Sequence, residues 1–261
     1  RMDFTQNKLK ILYKNMIDFY DDFLTFEEYL KASEIKQNSK FLILRHDVDK
    51  NPYNSLKFAL IQNKINIKGT YYFRMLPCSW NENIVREISD LGHEIGYHYE
   101  TMDEANGNVD LAWDHFRRNL DEMRKVVNVS TICMHGSPRS KYDNKDLWMK
   151  FDYKSLDIIG EPYLDIDFNK IFYLTDTGRR WDGWKYSVRD IISENESWNN
   201  NGYVYKKTDD IIDAIIERTI PKNIMFTFHP QRWHDNSTSW FIELCMQNIK
   251  NNIKKLFYVK H

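Results

Sequence analysis

Two acids and three histidines stand where short apolar runs give way to polar residues, and their types suit metal-assisted hydrolysis. Arg45-His46-Asp47-Val48-Asp49 follows an apolar run at 41–44, and the spacing of two aims Asp47 and Asp49 to one side of an extended strand end. Two carboxylates in one pocket separate into two roles: one holds a cation and the other, perturbed by its neighbour, takes a proton. Capping of a helix at Pro52 would explain Asp49 alone, but not two acids with a histidine. In Gly92-His93-Glu94-Ile95-Gly96-Tyr97-His98-Tyr99-Glu100 the two histidines are five apart and face opposite ways on a strand. His98, at the strand's C-terminal end and level with Asp49, is the ligand candidate. His93, at the entry, reads as a structural hydrogen-bonding residue. Met134-His135-Gly136-Ser137-Pro138-Arg139 and Phe228-His229-Pro230-Gln231-Arg232-Trp233 repeat the pattern at two further strand ends. His229 leaves a buried run directly and suits a positioned acid or a ligand. His115, His234 and His261 take the ordinary reading of unspecialised histidines.

The stretch 174–183 gathers Asp176, Arg179, Arg180, Trp181 and Asp182 among turn residues. Arginine beside tryptophan makes a sugar-binding wall, because flat ring faces stack on the indole and hydroxyls meet fixed donors. Arg179, Arg180, Trp181 and Asp182, with Arg139, Arg232 and Trp233 from the other loops, are therefore candidate substrate contacts. A surface loop closed by a salt bridge is the alternative. The sequence has no GxSxG elbow, P-loop, GxGxxG after a strand or HExxH, so serine hydrolase, nucleotide triphosphatase, Rossmann dehydrogenase and zincin readings lack a motif. A glycosidase could use Asp47 and Asp49 but would leave the histidines without a role.

Elements that could position these residues follow from periodicity. The first forty residues read as a helical extension. Strands then alternate with helices: 41–44 before a helix at 52, 69–74 before 83–91, and 93–98 before 111–127. A fourth strand is expected at 131–134, short strands near 171–174 and 186–188, a helix at 209–217, a buried strand at 224–228 and an amphipathic helix at 240–254. Repeated βα units make a parallel sheet or barrel the natural α/β architecture. No linker divides the chain, so one domain over 1–261 is expected, with 1–40 as the extension and 41–261 as the barrel. Net charge is −1 from 37 basic and 38 acidic residues mixed along the chain, which gives nucleic acid or an anionic membrane no footprint. Cys78, Cys133 and Cys245 form no CxxC pair. With no signal core and no long apolar window, the expectation is a cytoplasmic protein without an integral membrane segment. Oligomeric state is not readable.

RHDVD and GHEIGYH together resemble the polysaccharide deacetylase family, carbohydrate esterase family four. The resemblance runs from residue 41 to about 233 and implies a distorted (β/α) barrel of about seven strands. It implies Asp47 as base, Asp49 and His98 as metal ligands, and His229 in FHPQRW as acid. The longer phrases CMHGSP, YLTDTGRRWDG and FHPQRW look like a branch associated with bacterial surface-polysaccharide synthesis. Two departures stand out. The second histidine expected at 102 is Met102, a poor ligand, so His135 is the first substitute and Glu100 the second; and the third motif is replaced by His135-Gly136-Ser137-Pro138-Arg139. The implied protein is a zinc-dependent hydrolase that removes an acyl group, acetyl above all, from an amide nitrogen of a sugar or glycan precursor. A non-catalytic glycan-binding protein on the same fold, or a metal hydrolase acting on another C–N bond or an ester, are the alternatives.

Overall fold

The computed structural model describes residues 2–32, 39–137, 140–183, 187 and 191–257. Its elements in chain order are α1 (Gln6–Phe19), β1 (Asp22–Leu24), α2 (Phe26–Lys31), β2 (Phe41–Val48), α3 (Pro52–Lys64), β3 (Thr70–Phe73), α4 (Glu82–Asp90), β4 (Glu94–Tyr99), α5 (Thr101–Glu104), α6 (Val109–Arg124) and β5 (Ile132–Met134), then α7 (Pro162–Asp165), β6 (Phe172–Thr175), α8 (Asn195–Asn200), α9 (Thr208–Ile216), β7 (Asn223–Phe228) and α10 (Ser237–Phe257). All seven strands pair in parallel, six of them in the order β5-β4-β3-β2-β7-β6 and the seventh, β1, beside β2. β1 pairs with the first half of β2, Asp22 opposite Phe41, while β3 pairs with its second half, Asp47 opposite Tyr72. The expected α/β class with about seven strands is what forms. The purely helical reading of the first forty residues is corrected at Asp22–Leu24, where pairing with β2 overrides a helical pattern too short to hold a helix by itself. The strand expected at 186–188 lies outside the described residues except for Ser187.

Strand alternation sorts the side chains into two cores. Leu42 and Leu44 of β2, Ile95, Tyr97 and Tyr99 of β4 and Phe226 and Phe228 of β7 face the helices. Phe41 and Ile43 of β2, Tyr72 of β3, Cys133 of β5 and Met225 of β7 face the concave side of the curled sheet, where Phe26, Ile166 and Phe168 plug it. Both faces of β2 are buried along its whole length, which is why it reads as a near-continuous apolar run. Higher on the concave face the residues turn polar: Arg45 and Asp47 on β2, His98 on β4, all buried. Gly96 permits this crowding, since a Cβ there would collide with the Tyr72 ring and come within 3.1 Å of the Thr131 carbonyl oxygen.

The floor of the concave side is tied by Glu94, whose Oε2 accepts the Thr70 hydroxyl at 2.7 Å and the Glu27 backbone N–H at 2.8 Å, while Oε1 accepts the Thr131 hydroxyl. Thr70 Oγ1 in turn accepts the Phe26 N–H. One carboxylate thus takes the Glu27 N–H in the first turn of α2 and ties it to Thr70 of β3 and to Thr131 just before β5. Burial pushes the Glu94 carboxyl up to about 7, against the lowering effect of these donors. Replacing Glu94 by Ala strands several buried donors, so stability should fall by about 2–4 kcal/mol, read by urea unfolding, whereas the exposed Lys14→Ala should change it by less than about 0.5 kcal/mol. Because the folded pKa is raised, this group's contribution is full below its unfolded value and lost as pH rises toward 7. Glu94→Gln should flatten that part of the stability profile.

Candidate active site

Parallel register brings the strand ends level, and a polar residue follows directly on six of them. Asp49 follows Val48, Arg74 follows Phe73, Glu100 follows Tyr99, His135 follows Met134, Asp176 follows Thr175 and His229 follows Phe228. This C-terminal edge is where α/β sheets build sites.

Three lone-pair donors converge there. Asp49 Oδ1 lies 3.5 Å from His98 Nε2 and 3.3 Å from His135 Nδ1, and the two imidazole nitrogens are 3.3 Å apart. His98 Nδ1 sits 2.9 Å from the Cys133 carbonyl oxygen, which can only accept, so the ring's proton is on Nδ1 and Nε2 offers its lone pair inward. That lone pair faces the Asp49 carboxylate and, at 3.8 Å, Asp47 Oδ2. Such an arrangement is repulsive unless a cation or proton lies among the groups. Asp49 Oδ1 is buried and accepts no hydrogen bond, while Oδ2 accepts the Gln231 amide at 2.9 Å. Burial alone would raise the Asp49 carboxyl, yet the facing His135 and His98 hold it well below the usual carboxylate range. A tetrahedral ion with ligands at about 2.0–2.1 Å has ligand–ligand edges of about 3.3–3.4 Å, so the spacing of these atoms fits a zinc-sized divalent ion. A second group, Asp47, His98 and Cys133, also comes together, with Asp47 there gripped by Arg45 as well.

Two charge-oriented groups flank the cluster. Arg45 Nε and Nη2 grip Asp47 Oδ1 and Oδ2 at 2.8 and 2.6 Å, both residues buried on β2, with the guanidinium lying over the Tyr163 ring. On the other side Asp176 Oδ1 meets His229 Nδ1 at 2.6 Å and Oδ2 takes the Trp233 indole N–H at 2.7 Å. The His229 backbone N–H also donates to Asp176. Burial would raise the Asp176 carboxyl, but His229, Arg232 and these donors hold it below its ordinary value. The carboxylate therefore fixes the proton on His229 Nδ1 and leaves Nε2 for the cavity.

Arg45, Asp47, Asp49, His98, His135 and His229 line one inner cavity of about 60 Å³. It opens past Asp49, His135 and Arg232 into an outer groove of about 490 Å³ walled by Gln247, Lys250, Ile253 and Lys254 of α10. Glu100, the second candidate for the missing ligand, is instead clamped by Arg74 at 2.9 and 2.8 Å and stands 3.9 Å behind His135 Nε2. Met102 packs in the helix-side core. Asn144 connects the two places, accepting the Met102 N–H and donating to the His135 carbonyl at 2.8 Å. His93 accepts the Gly69 N–H and donates to the Ala59 carbonyl; burial pushes it down to about 4, so it is neutral and structural.

The expected sugar-stacking wall does not form from the 179–182 loop. Trp181 is buried against Phe226, Phe228 and Trp233, its indole N–H on Thr208, because a ring that size is worth more in the core than in water. Arg179 turns away to stack on Trp240 and donate to its carbonyl. Arg180 and buried Asp182 pair with each other at 2.7 Å. Trp233 buttresses Asp176 from within the core, so of these candidates only Arg232 reaches the cavity, and Arg139 lies outside the described residues. Asp176, Arg45, Asn144 and Gln231 are the site residues that sequence reasoning did not single out; Asp176 had a usable signal, an acid directly after a strand end, and Arg45 another, two residues from Asp47 on one strand face.

No family model matches the sequence, and no curated protein does. Among solved structures the chain is similar to a CE4 family pseudoenzyme from Bacillus anthracis, with 14% identity and a TM-score of 0.44 over 83% of this chain and 62% of that one. It is also similar to the Streptococcus pyogenes deacetylase PplD in complex with acetate, with 15% identity and a TM-score of 0.46 over 59% of this chain and 70% of that one. A third is a family 4 carbohydrate esterase from Streptomyces lividans in complex with acetate, with 12% identity and a TM-score of 0.39 over 83% of this chain and 90% of that one. The chain spans less than two thirds of the length of the pseudoenzyme. At these identities the likeness is one of fold. Among the described residues no helix is long and apolar enough to cross a membrane.

The depressed carboxyls of Asp49 and Asp176 add stability that is complete above the unfolded carboxylate pKa of about 3.9 and lost as pH falls below it. Acid unfolding followed by tryptophan fluorescence should therefore begin near or below pH ~4, and Asp176→Asn should shallow that limb.

Proposed function

We propose that this protein is a metal-dependent hydrolase that removes an acyl group, acetyl by size, from an amide nitrogen of a sugar or glycan precursor. The observation that carries the reading is the inner cavity, where a three-ligand cluster lies between an arginine-held aspartate and an aspartate-held histidine. Its small volume suits an acyl group with a water, and the outer groove has room for the sugar. Asp49, His98 and His135 would hold the ion, and the His-rich set favours zinc. Such an ion, when bound, polarises a carbonyl and acidifies water.

Asp47 receives the proton of the attacking water. Arg45 keeps both of its oxygens in place, and a carboxylate oxygen that accepts one hydrogen bond retains a second lone pair for this purpose. His229 delivers a proton from Nε2 to the departing nitrogen, so that it leaves as a neutral amine, while Asp176 stabilises the imidazolium that precedes the transfer. Arg232, tied to the Asp176 carbonyl at 2.9 Å, fixes the mouth between cavity and groove.

Elemental analysis of purified protein should give close to one metal per chain, lost in Asp49→Ala, His98→Ala and His135→Ala. Asp47→Asn and His229→Ala should keep the metal and lose roughly 10²–10⁴-fold in acetate release from an N-acetylated sugar. Full turnover in either variant would overturn the assignment. A chain that takes up no metal after dialysis against zinc, cobalt or nickel would instead be a glycan-binding protein.

A further inference from the structure

Asp176 and His229 sit on different segments, the stretch 174–183 and the turn after β7, and residues 3–8 are packed against both. The Phe4 ring meets the Trp233 ring edge-on at 5.1 Å and stacks on Trp181 at 6.3 Å, with the Arg179 guanidinium 5.7 Å from its centre. The Phe4 carbonyl accepts the His234 N–H at 3.1 Å. Asp3 accepts the Thr208 N–H at the start of α9 and the Trp240 indole N–H of α10, and buried Lys8 pairs with Asp209. Phe4 is itself buried at φ +55°, a left-handed conformation that a bulky side chain holds only where its surroundings enforce it. Among the described residues, no hydrogen bond, ion pair or ring contact of residues 3–8 reaches Asp49, His98 or His135. The segment therefore bears on the His229 side of the cavity.

The path from Phe4 to the reactive nitrogen is short. Phe4 seats the Trp233 indole, whose N–H holds Asp176 Oδ2 at 2.7 Å, and Asp176 Oδ1 holds His229 Nδ1 at 2.6 Å. Phe58 and Phe228 back the same indole, so loss of the Phe4 ring frees the indole without dissolving the core around it. We infer that Phe4 is a positioning residue for the proton donor: it fixes Trp233, and through Asp176 the angle at which His229 presents Nε2 to the cavity. The donor role rests on the proposed hydrolase reading; the coupling of Phe4 to the Asp176–His229 pair does not.

The short contact between Asp176 and His229 supplies a readout that does not need turnover. A proton on Nδ1 in so close a charge-assisted hydrogen bond resonates far downfield in the proton NMR spectrum, and its loss in His229→Ala assigns it. In the zinc-loaded full chain, Phe4→Leu should weaken and broaden this resonance and Phe4→Ala should abolish it. For acetate release from an N-acetylated sugar, kcat should fall about threefold in the first variant and about tenfold or more in the second. KM should change by less than about twofold, and metal content should stay close to one per chain. Phe4→Leu keeps most of the apolar volume and carries the test if Phe4→Ala does not fold. Ile88→Ala, a core truncation on α4, should lower the urea midpoint yet leave the resonance and kcat as they are. A resonance and kcat that survive both Phe4 variants overturn the inference. So does an equal loss in Ile88→Ala, which would reduce Phe4 to ordinary packing, and so does a wild type without the resonance, in which the pair is not held. A wild type that cleaves no N-acetylated sugar removes the hydrolase reading, while a resonance that still follows Phe4 keeps the coupling.

Discussion

Everything on the concave side depends on β2 having no solvent face. Its odd-numbered residues must pass within one strand from an apolar floor, Phe41 and Ile43, to an ionic ceiling, Arg45 and Asp47. A lone buried charge at that level would cost several kcal/mol. The strand supplies its own counter-ion two residues away, where alternation places it on the same face. The bidentate pair thereby turns a costly position into a rigid one, and Tyr163 closes over the guanidinium.

The same device recurs at the other wall with different chemistry. Asp176 is buried and fully surrounded by donors, two from His229, one from Trp233 and one from Arg232. Between the two walls the Asp49–His98–His135 cluster is left short of compensation, with an orphaned carboxylate oxygen and an inward lone pair. The chain supplies donors to both wall carboxylates, although Arg45 Nη1 is left without a partner, whereas the central Asp49 keeps an unpaired buried oxygen.

Much of this was legible because the chemistry sits at strand ends, where the period changes. Asp47, Asp49, His98, His135 and His229 all follow or close an apolar run, and the structure places them around one cavity. Parity set His93 and His98 on opposite faces, and position at the strand's C-terminal end, level with Asp49, picked out His98. The loop 174–183 was not legible in that way. Turn residues, arginines and an indole describe a binding wall and a folded-in strap equally well, and only long-range packing against Phe226, Phe228 and Trp233 buries Trp181. Asn144 was silent for a related reason, since it reaches His135 through a loop return that only tertiary packing fixes, whereas Arg45 carried a local signal, two residues from Asp47 on the same strand face. β1 was missed because three residues carry no period and gain their state from a neighbouring strand.

The pairing of β2 with β7 sets Phe41 opposite Asn223 and His46 opposite Phe228, so the centre of the sheet joins segments from opposite ends of the sequence. Such a topology has a high contact order, and loop-closure entropy must be met before that pairing repays it. The strand bearing Asp47 is made well before Tyr163, which covers Arg45, and its facing histidine waits for the last buried strand. A nascent chain would thus hold the ionic half of β2 without its facing histidine until residue 229 emerges, so the two walls of the cavity can meet only after β7 has been made.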